Sequence, residues 1–184
     1  MASVLIPLAE GCEELEAVTL IDLLRRAGIT VTTASLGHQR TLTASRQVGL
    51  VADTLLDNVL DDDFDMMLMP GGQPGTDHLN NDHRVHALIK RLQHEGRYLA
   101  AICAAPMVLA SAGILDGKRA TSYPGALNKE KWPAIEISAE PIVTDGKVLT
   151  SRGPGTAMDF ALTIIELLTD KTTRDKVEAG LVRP

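Results

Sequence analysis

Two thiols, Cys12 and Cys103, and three closely spaced acids, Glu13, Glu14 and Glu16, are the groups in this chain best suited to chemistry. A thiolate is a strong nucleophile, and a carboxyl beside it can move protons to and from whatever the sulfur attacks. Cys103 lies in Ala100-Ala101-Ile102-Cys103-Ala104-Ala105-Pro106. A nucleophile perched between a strand and a helix forces the backbone through a tight turn, so its neighbours must be small; serine hydrolases use glycines there. Here alanines fill those positions. Pro106 suits the first turn of a helix, where no N–H donor is needed. A thiol so placed faces the positive end of the helix dipole, which is expected to lower its pKa. An inert cysteine in an Ala-rich core would leave the same local sequence, so both readings stay open at this level.

Met69-Pro70-Gly71-Gly72 supplies backbone that a substrate can approach closely. An amide of this glycine pair could act with that of Ala104 to hold an oxyanion, although most Gly-Gly pairs are simple turns. Any of Glu13, Glu14 and Glu16 suits the start of a helix, and spacing does not choose among them. Cys12 reads as a loop thiol near the same place, with a disulfide to Cys103 under oxidation as the alternative. His83 and His86, with His78 and His94 nearby, lack a Glu or Cys at fixed ligand spacing and read as a polar helix face. Arg152-Gly153-Pro154-Gly155 lacks the Lys-Ser/Thr ending of a phosphate loop and reads as a turn presenting Thr156 as a helix cap.

The elements that must position these groups follow from periodicity. Ser3 to Leu8 is an apolar strand, and Glu14 to Ala27 a helix with Leu15, Val18, Leu20, Ile21 and Leu24 as its stripe, ended by Gly28. Ile29 to Ala34 is β-branched and extended, and residues 40–51 form a hairpin around Ser45-Arg46. Asp53 to Asp65 is a connection whose Asp61-Asp62-Asp63 run is a solvated face. Met66 to Met69 is a buried strand, Asp82 to Glu95 a helix, Tyr98 to Ile102 a strand and Ala104 to Ala112 a helix. Arg119 to Tyr123, Ile142–Val143 and Lys147–Ser151 are later strands, with Asp145-Gly146 as a hairpin turn. Thr156 to Leu168 and Lys171 to Ala179 close the chain as helices.

Alternating strands and helices mean a single-domain, doubly wound α/β sandwich of flavodoxin-like type over residues 1–184, with a mostly parallel sheet and helices on both faces. Ligands in such folds lie at the carboxyl ends of the strands. That rule selects the loops after Leu8, Met69, Ile102 and Ser151, and three of these four carry unusual residues.

The 184 residues are 45% hydrophobic and 3% aromatic, which suits one domain packed with aliphatic side chains. A net charge of -6, with basic residues scattered, gives no specific nucleic-acid surface. Two cysteines without disulfide or metal spacing indicate a reducing, cytoplasmic setting. The N-terminal apolar stretch lacks a basic region before it and reads as no signal peptide. Tyr98 to Leu115 carries no charge, but Pro106 and Gly113 interrupt it, so it reads as a buried strand and helix rather than a membrane span.

The chain resembles the ThiJ/PfpI superfamily, in the branch of the parkinsonism-associated protein deglycase and its bacterial relatives. The matching stretches are Glu13-Glu14-Leu15-Glu16-Ala17-Val18, Asp22-Leu23-Leu24-Arg25-Arg26-Ala27-Gly28-Ile29, Ser45-Arg46, Met69-Pro70-Gly71-Gly72, Ala100 to Pro106, and Leu149-Thr150-Ser151-Arg152-Gly153-Pro154-Gly155-Thr156. The resemblance implies that Cys103 is the nucleophile, that the protonated carboxyl of Glu16 donates to its sulfur, and that Gly72 and Ala104 carry the oxyanion donors. A carboxyl kept neutral near pH 7 needs a raised pKa, which burial would provide. The resemblance also implies a homodimer, with Arg26 and Arg46 where the family places interface residues. Two positions depart from it. Ala104 stands where the protease-like branch has His, which argues against a Cys-His peptidase. Tyr123 stands where the deglycase branch often has His; a phenol can hydrogen-bond a substrate but is no base near neutral pH without a large shift.

Together these readings imply a cofactor-independent, metal-free enzyme that acts on small reactive carbonyl compounds, glyoxal and methylglyoxal, or on their adducts with protein or nucleotide. The alternative from another class is a redox sensor or oxidative-stress chaperone working through oxidation of Cys103.

Overall fold

The computed structural model describes residues 1–183. Ser3–Leu8 forms β1, apolar and buried from Val4 onward. Glu14–Arg26 forms α1, with acids in its first turn and arginines in its last, as the helix dipole favours. β2 is Thr30–Ser35. β3 (Thr41–Thr43) and β4 (Gly49–Val51) make an antiparallel hairpin outside the main sheet. β5 (Thr54–Leu55) runs into a 3-10 turn, Leu56–Val59. Then come β6 (Met66–Met69), α2 (Gly75–Asn81), α3 (His83–His94), β7 (Tyr98–Ile102) and α4 (Pro106–Ser111). β8 (Arg119–Thr121) and β9 (Glu136–Ser138) pair in parallel as a small separate sheet. β10 (Ile142–Asp145), β11 (Val148–Ser151), α5 (Ala157–Leu168) and α6 (Lys171–Ala179) complete the chain.

The main sheet has seven strands in the order β10-β11-β7-β6-β1-β2-β5. All neighbours are parallel except the β10–β11 hairpin. Strand residues alternate between two apolar layers, because successive side chains point to opposite faces. Val4, Ile6, Leu68, Ala100 and Ile102 join Leu20 and Leu24 of α1 and Phe160 and Ile164 of α5. Leu5, Met67, Met69, Leu99 and Ala101 join Val85, Leu88 and Ile89 of α3 and Leu109 of α4. With both faces covered, the central strands read as unbroken apolar runs. A buried Leu such as Leu68 stabilises the fold by roughly 1.5–3 kcal/mol.

The doubly wound α/β architecture agrees with the sequence reading, and four details correct it. Thr54–Leu55 is an edge strand where only a connection was expected, α2 precedes the expected helix at Asp82, and Glu136–Ser138 is a strand. Thr156 makes no side-chain cap on α5. Its hydroxyl instead accepts from the Gly153 N–H at 3.1 Å and donates to the Gly153 carbonyl at 2.9 Å, closing its own turn. Among the described residues no helix is long and apolar enough to cross a membrane. The uncharged stretch from Tyr98 to Leu115 is β7 passing into α4.

Candidate functional site

β11, β7, β6 and β1 are consecutive in the sheet. The loops after Ser151, Ile102, Met69 and Leu8 therefore meet along one edge, where a parallel sheet presents its ligand sites. Cys103 follows the last residue of β7 and precedes α4. Its backbone is pinned on both sides: the Cys103 N–H donates to the Ser151 carbonyl at 3.0 Å, and its own carbonyl accepts from the Tyr123 N–H at 2.7 Å. Cys103 has φ 64, left-handed backbone that few non-glycine residues adopt. Holding it costs on the order of 1–3 kcal/mol, which the surrounding hydrogen bonds must offset.

Glu16, in the first turn of α1, is wholly buried. Its Oε2 accepts from the Gly71 N–H at 2.8 Å, and its buried Oε1 has no hydrogen-bond partner of ordinary geometry. The thiol of Cys103 and the charge of Glu13 also act on this carboxyl. Gly71 explains how the two side chains meet. A Cβ there would stand 2.7 Å from Cys103 Cβ and 3.0 Å from both Glu16 Oε2 and the Ala104 nitrogen. The Cys103 Cβ, the Glu16 carboxyl and the Ala104 amide thus converge on space that only glycine leaves open. Gly72, at φ +90, is pressed on the Cys12–Glu13 backbone; a Cβ would lie 2.3 Å from the Glu13 nitrogen. The seam is tied by the Glu13 N–H donating to the Gly71 carbonyl at 2.8 Å and the Gly75 N–H to the Gly11 carbonyl at 3.2 Å.

Burial pushes the Glu16 carboxyl from its ordinary 4.5 up to about 7, helped by the charge of Glu13 and opposed by the Gly71 amide and the Cys103 thiol. Burial likewise pushes the Cys103 thiol up to about 12, with the Glu16 charge and the hydrogen bond to Glu16 adding to it. The N–H groups of Ala104 and Gly72 act the other way, favouring charged sulfur. The direction is opposite to the lowering expected from the helix dipole: α4 has only six residues, and desolvation outweighs it. The two groups titrate as one unit. Burial raises both, and the charge of one opposes the charge of the other, so the pair gives up its first proton well before its second. When Glu16 holds the remaining proton, its charge no longer opposes thiolate.

Glu13 and Glu14 have other work. The Ser45 hydroxyl is 3.0 Å from Glu13 Oε2 and 2.9 Å from Glu14 Oε2, and the Arg46 N–H donates to Glu14 Oε1 at 2.7 Å. They tie the tip of the β3–β4 hairpin to α1, so hydrogen-bond partners separate Glu16 from its neighbours where spacing did not. Cys12 is wholly buried, its thiol pushed up to about 12 by burial and by the charge of Glu14. Tyr123 is half exposed; its ring lies over Gly153, where a Cβ would be 3.5 Å from Cδ2. His86 Nε2 meets the Asn80 carbonyl at 2.8 Å, clasping α2 to α3. Among the described residues no three His, Cys, Asp or Glu side chains gather as a metal site. The Gly11–Gly75 contact escaped the sequence reading, although three glycines in Gly71-Gly72-Gln73-Pro74-Gly75 signal a loop built for close backbone approach.

A model of the DJ-1/PfpI family matches residues 2–167. Protein DJ-1 homolog A of Arabidopsis thaliana is 41% identical over 181 residues, 98% of this chain and 46% of that protein, so the chain spans about half the length of that relative. Glutathione-independent glyoxalase DJR-1.2 of Caenorhabditis elegans is 33% identical over 167 residues, 91% of this chain and 88% of its own. The crystal structure of Drosophila melanogaster DJ-1beta superposes with a TM-score of 0.94 at 40% identity, covering 100% of this chain and 98% of that one.

Proposed function

The chain belongs to the DJ-1/PfpI family, and on that premise we propose that it is a cysteine-dependent enzyme removing reactive 2-oxoaldehydes, free or as early adducts on protein or nucleotide. The observation that carries this reading is the pairing of a wholly buried carboxyl, Glu16, with a thiol held on left-handed backbone, Cys103. The name of the nematode relative adds support for glyoxalase chemistry.

The reaction is R–CO–CHO + H2O → R–CH(OH)–COO⁻ + H⁺. Cys103 thiolate, formed as its proton passes to Glu16, adds to the aldehyde carbon. The N–H groups of Gly72 and Ala104 face the oxygen that gains charge, and Glu16 protonates it. The Glu16 carboxylate then takes the proton from the former aldehyde carbon and returns it to the adjacent carbon, while the hydroxyl proton passes to the neighbouring ketone oxygen, leaving a 2-hydroxy thioester. Water cleaves the thioester, releasing the hydroxy acid and the thiol. These steps are proton transfers and additions to carbonyl carbon, so they call for no metal or organic cofactor. Cys12, buried and held uncharged, takes no part.

Pairing into a homodimer through α1 fits the same reading. Leu15 and Val18, one turn apart on that helix, are 51% and 48% exposed, beside the hairpin that carries Arg46. Leu15→Glu is expected to shift a dimer to monomer in light scattering; a wild-type monomer at micromolar concentration would contradict pairing. The reaction itself is tested by lactate release from methylglyoxal. Wild type is expected to turn over and Cys103→Ser and Glu16→Ala to lose at least about a hundredfold; turnover persisting in either variant would sink it.

A further inference from the structure

One side of the nucleophile's support carries a cation, Arg152, that has no carboxylate partner among the described residues. The Ser122–Gly125 segment and Arg152 line a hollow of about 200 Å³, closed by Leu127, Ile137 and Ser138. The chain that lines it is the chain that grips Cys103: the Tyr123 N–H donates to the Cys103 carbonyl, and Ser151, whose carbonyl accepts from the Cys103 N–H, precedes Arg152. The lining of the hollow is therefore tied by backbone hydrogen bonds to the residue that carries the reacting sulfur.

Arg152 is half-buried there, and Nη1 donates to the Ala139 carbonyl at 2.7 Å. That single bond fixes the guanidinium while Nε and Nη2 keep no protein acceptor among the described residues. Among the described residues no carboxylate pairs with it, whereas Arg25, Arg84, Arg97 and Arg119 each hold one. Glu140, on the loop that also supplies Ala139, is already engaged by Arg119. Ser122 Oγ is engaged by backbone groups, and Ser138 Oγ accepts from the Glu140 N–H and from Arg119 Nη2. The hydroxyl of Tyr123 makes no hydrogen bond to the described residues and completes the polar lining. A fixed guanidinium with a free edge, next to a phenol, is a receptor for a carboxylate or phosphate.

We propose that this hollow is the specificity subsite of the Cys103 centre and holds an anionic tail on the 2-oxoaldehyde substrate, with Arg152 as the group that reads the charge. The proposal rests on the reaction proposed above, and it concerns the part of the substrate that does not react. A volume of about 200 Å³ takes a tail of two or three carbons ending in one anion, and leaves a bulky or branched adduct outside.

The test compares 4,5-dioxopentanoate with its uncharged methyl ester, and carries methylglyoxal as a separate arm. Wild type is expected to favour the acid over the ester by at least about tenfold in kcat/KM, chiefly through KM, as a charged hydrogen bond requires. Arg152→Gln is expected to bring that ratio to near one, and Arg152→Lys to restore part of it. A ratio near one in wild type that does turn over methylglyoxal overturns the subsite and leaves the reaction standing. Absence of turnover of both methylglyoxal and 4,5-dioxopentanoate overturns the reaction instead. The subsite is then read by protection of Cys103 from iodoacetamide with 4-oxopentanoate. Slowing by the acid but not by its methyl ester, lost in Arg152→Gln, supports it; equal effects of acid and ester overturn it. A phosphate-bearing 2-oxoaldehyde preferred over the carboxylate would fix which anion the guanidinium holds.

Discussion

Glu16→Gln separates the cost of the buried carboxyl from its use. The amide keeps an acceptor for the Gly71 N–H and nearly the same volume, and removes only the ionisation. Burial holds the wild-type group at about 7 against 4.5 in the unfolded chain. The folded chain therefore binds this proton more tightly than the unfolded chain does. Its contribution to stability is complete below pH 4.5, falls as pH rises, and is gone above about 7, a loss of about 3 kcal/mol. Between pH 5 and pH 8, urea unfolding is expected to show wild type losing about 2–3 kcal/mol more than Glu16→Gln. At pH 8 the variant should be the more stable by about 2 kcal/mol, after about 1 kcal/mol for an amide N–H left without an acceptor. It should be nearly inactive. Parallel pH dependences in the two proteins would refute the reasoning, because they would mean that Glu16 ionises in the fold as freely as in the unfolded chain.

Gly71→Ala should lower stability by about 1–3 kcal/mol and abolish methylglyoxal turnover, since its Cβ would enter the space shared by Cys103 and Glu16; thermal unfolding and lactate release check both effects. Truncating Arg84 to Met removes a guanidinium that joins Asp82, Asp57 and the Leu36 carbonyl at the start of α3, and should cost about 2–3 kcal/mol in urea unfolding. With mild peroxide, Cys103 should gain two oxygens while Cys12, 0% exposed, stays reduced. Two peroxides are consumed and two waters released for each sulfinic acid formed, and peptide mass mapping would locate the oxygens. Oxidation first at Cys12 would contradict the burial argument.

The central strands were legible because β1, β6 and β7 are buried on both faces, which writes them as apolar runs in the sequence. The rule that ligands gather at strand carboxyl ends selected the loops that the sheet order then placed side by side. What was not legible is held by tertiary contact rather than local pattern. α2 reads GTDHLNN, with Leu79 as its one large apolar residue, and it begins where the Thr76 N–H donates to the Gly72 carbonyl at 2.8 Å. β5 is two residues long and exists as an edge pairing with Ala34 and Ser35. Spacing could not rank Glu13, Glu14 and Glu16, because all three lie within one helical turn and only the hairpin at Ser45 shows which carboxylates it claims. The sign of the thiol's shift was missed for a related reason: the dipole of a short helix is visible in sequence, and the desolvation that outweighs it is not.

The claim at the centre is that Cys103 and Glu16 share one proton near neutral pH and that the sulfur reacts when Glu16 holds it. The most direct measurement is the rate of Cys103 alkylation by iodoacetamide from pH 5 to pH 10, in wild type and in Glu16→Gln, with Cys12→Ala as background. The pair predicts a wild-type rate that rises through about pH 7 and then levels, and a variant that rises only above pH 9. Wild type rising only above pH 9, in step with the variant, would contradict it.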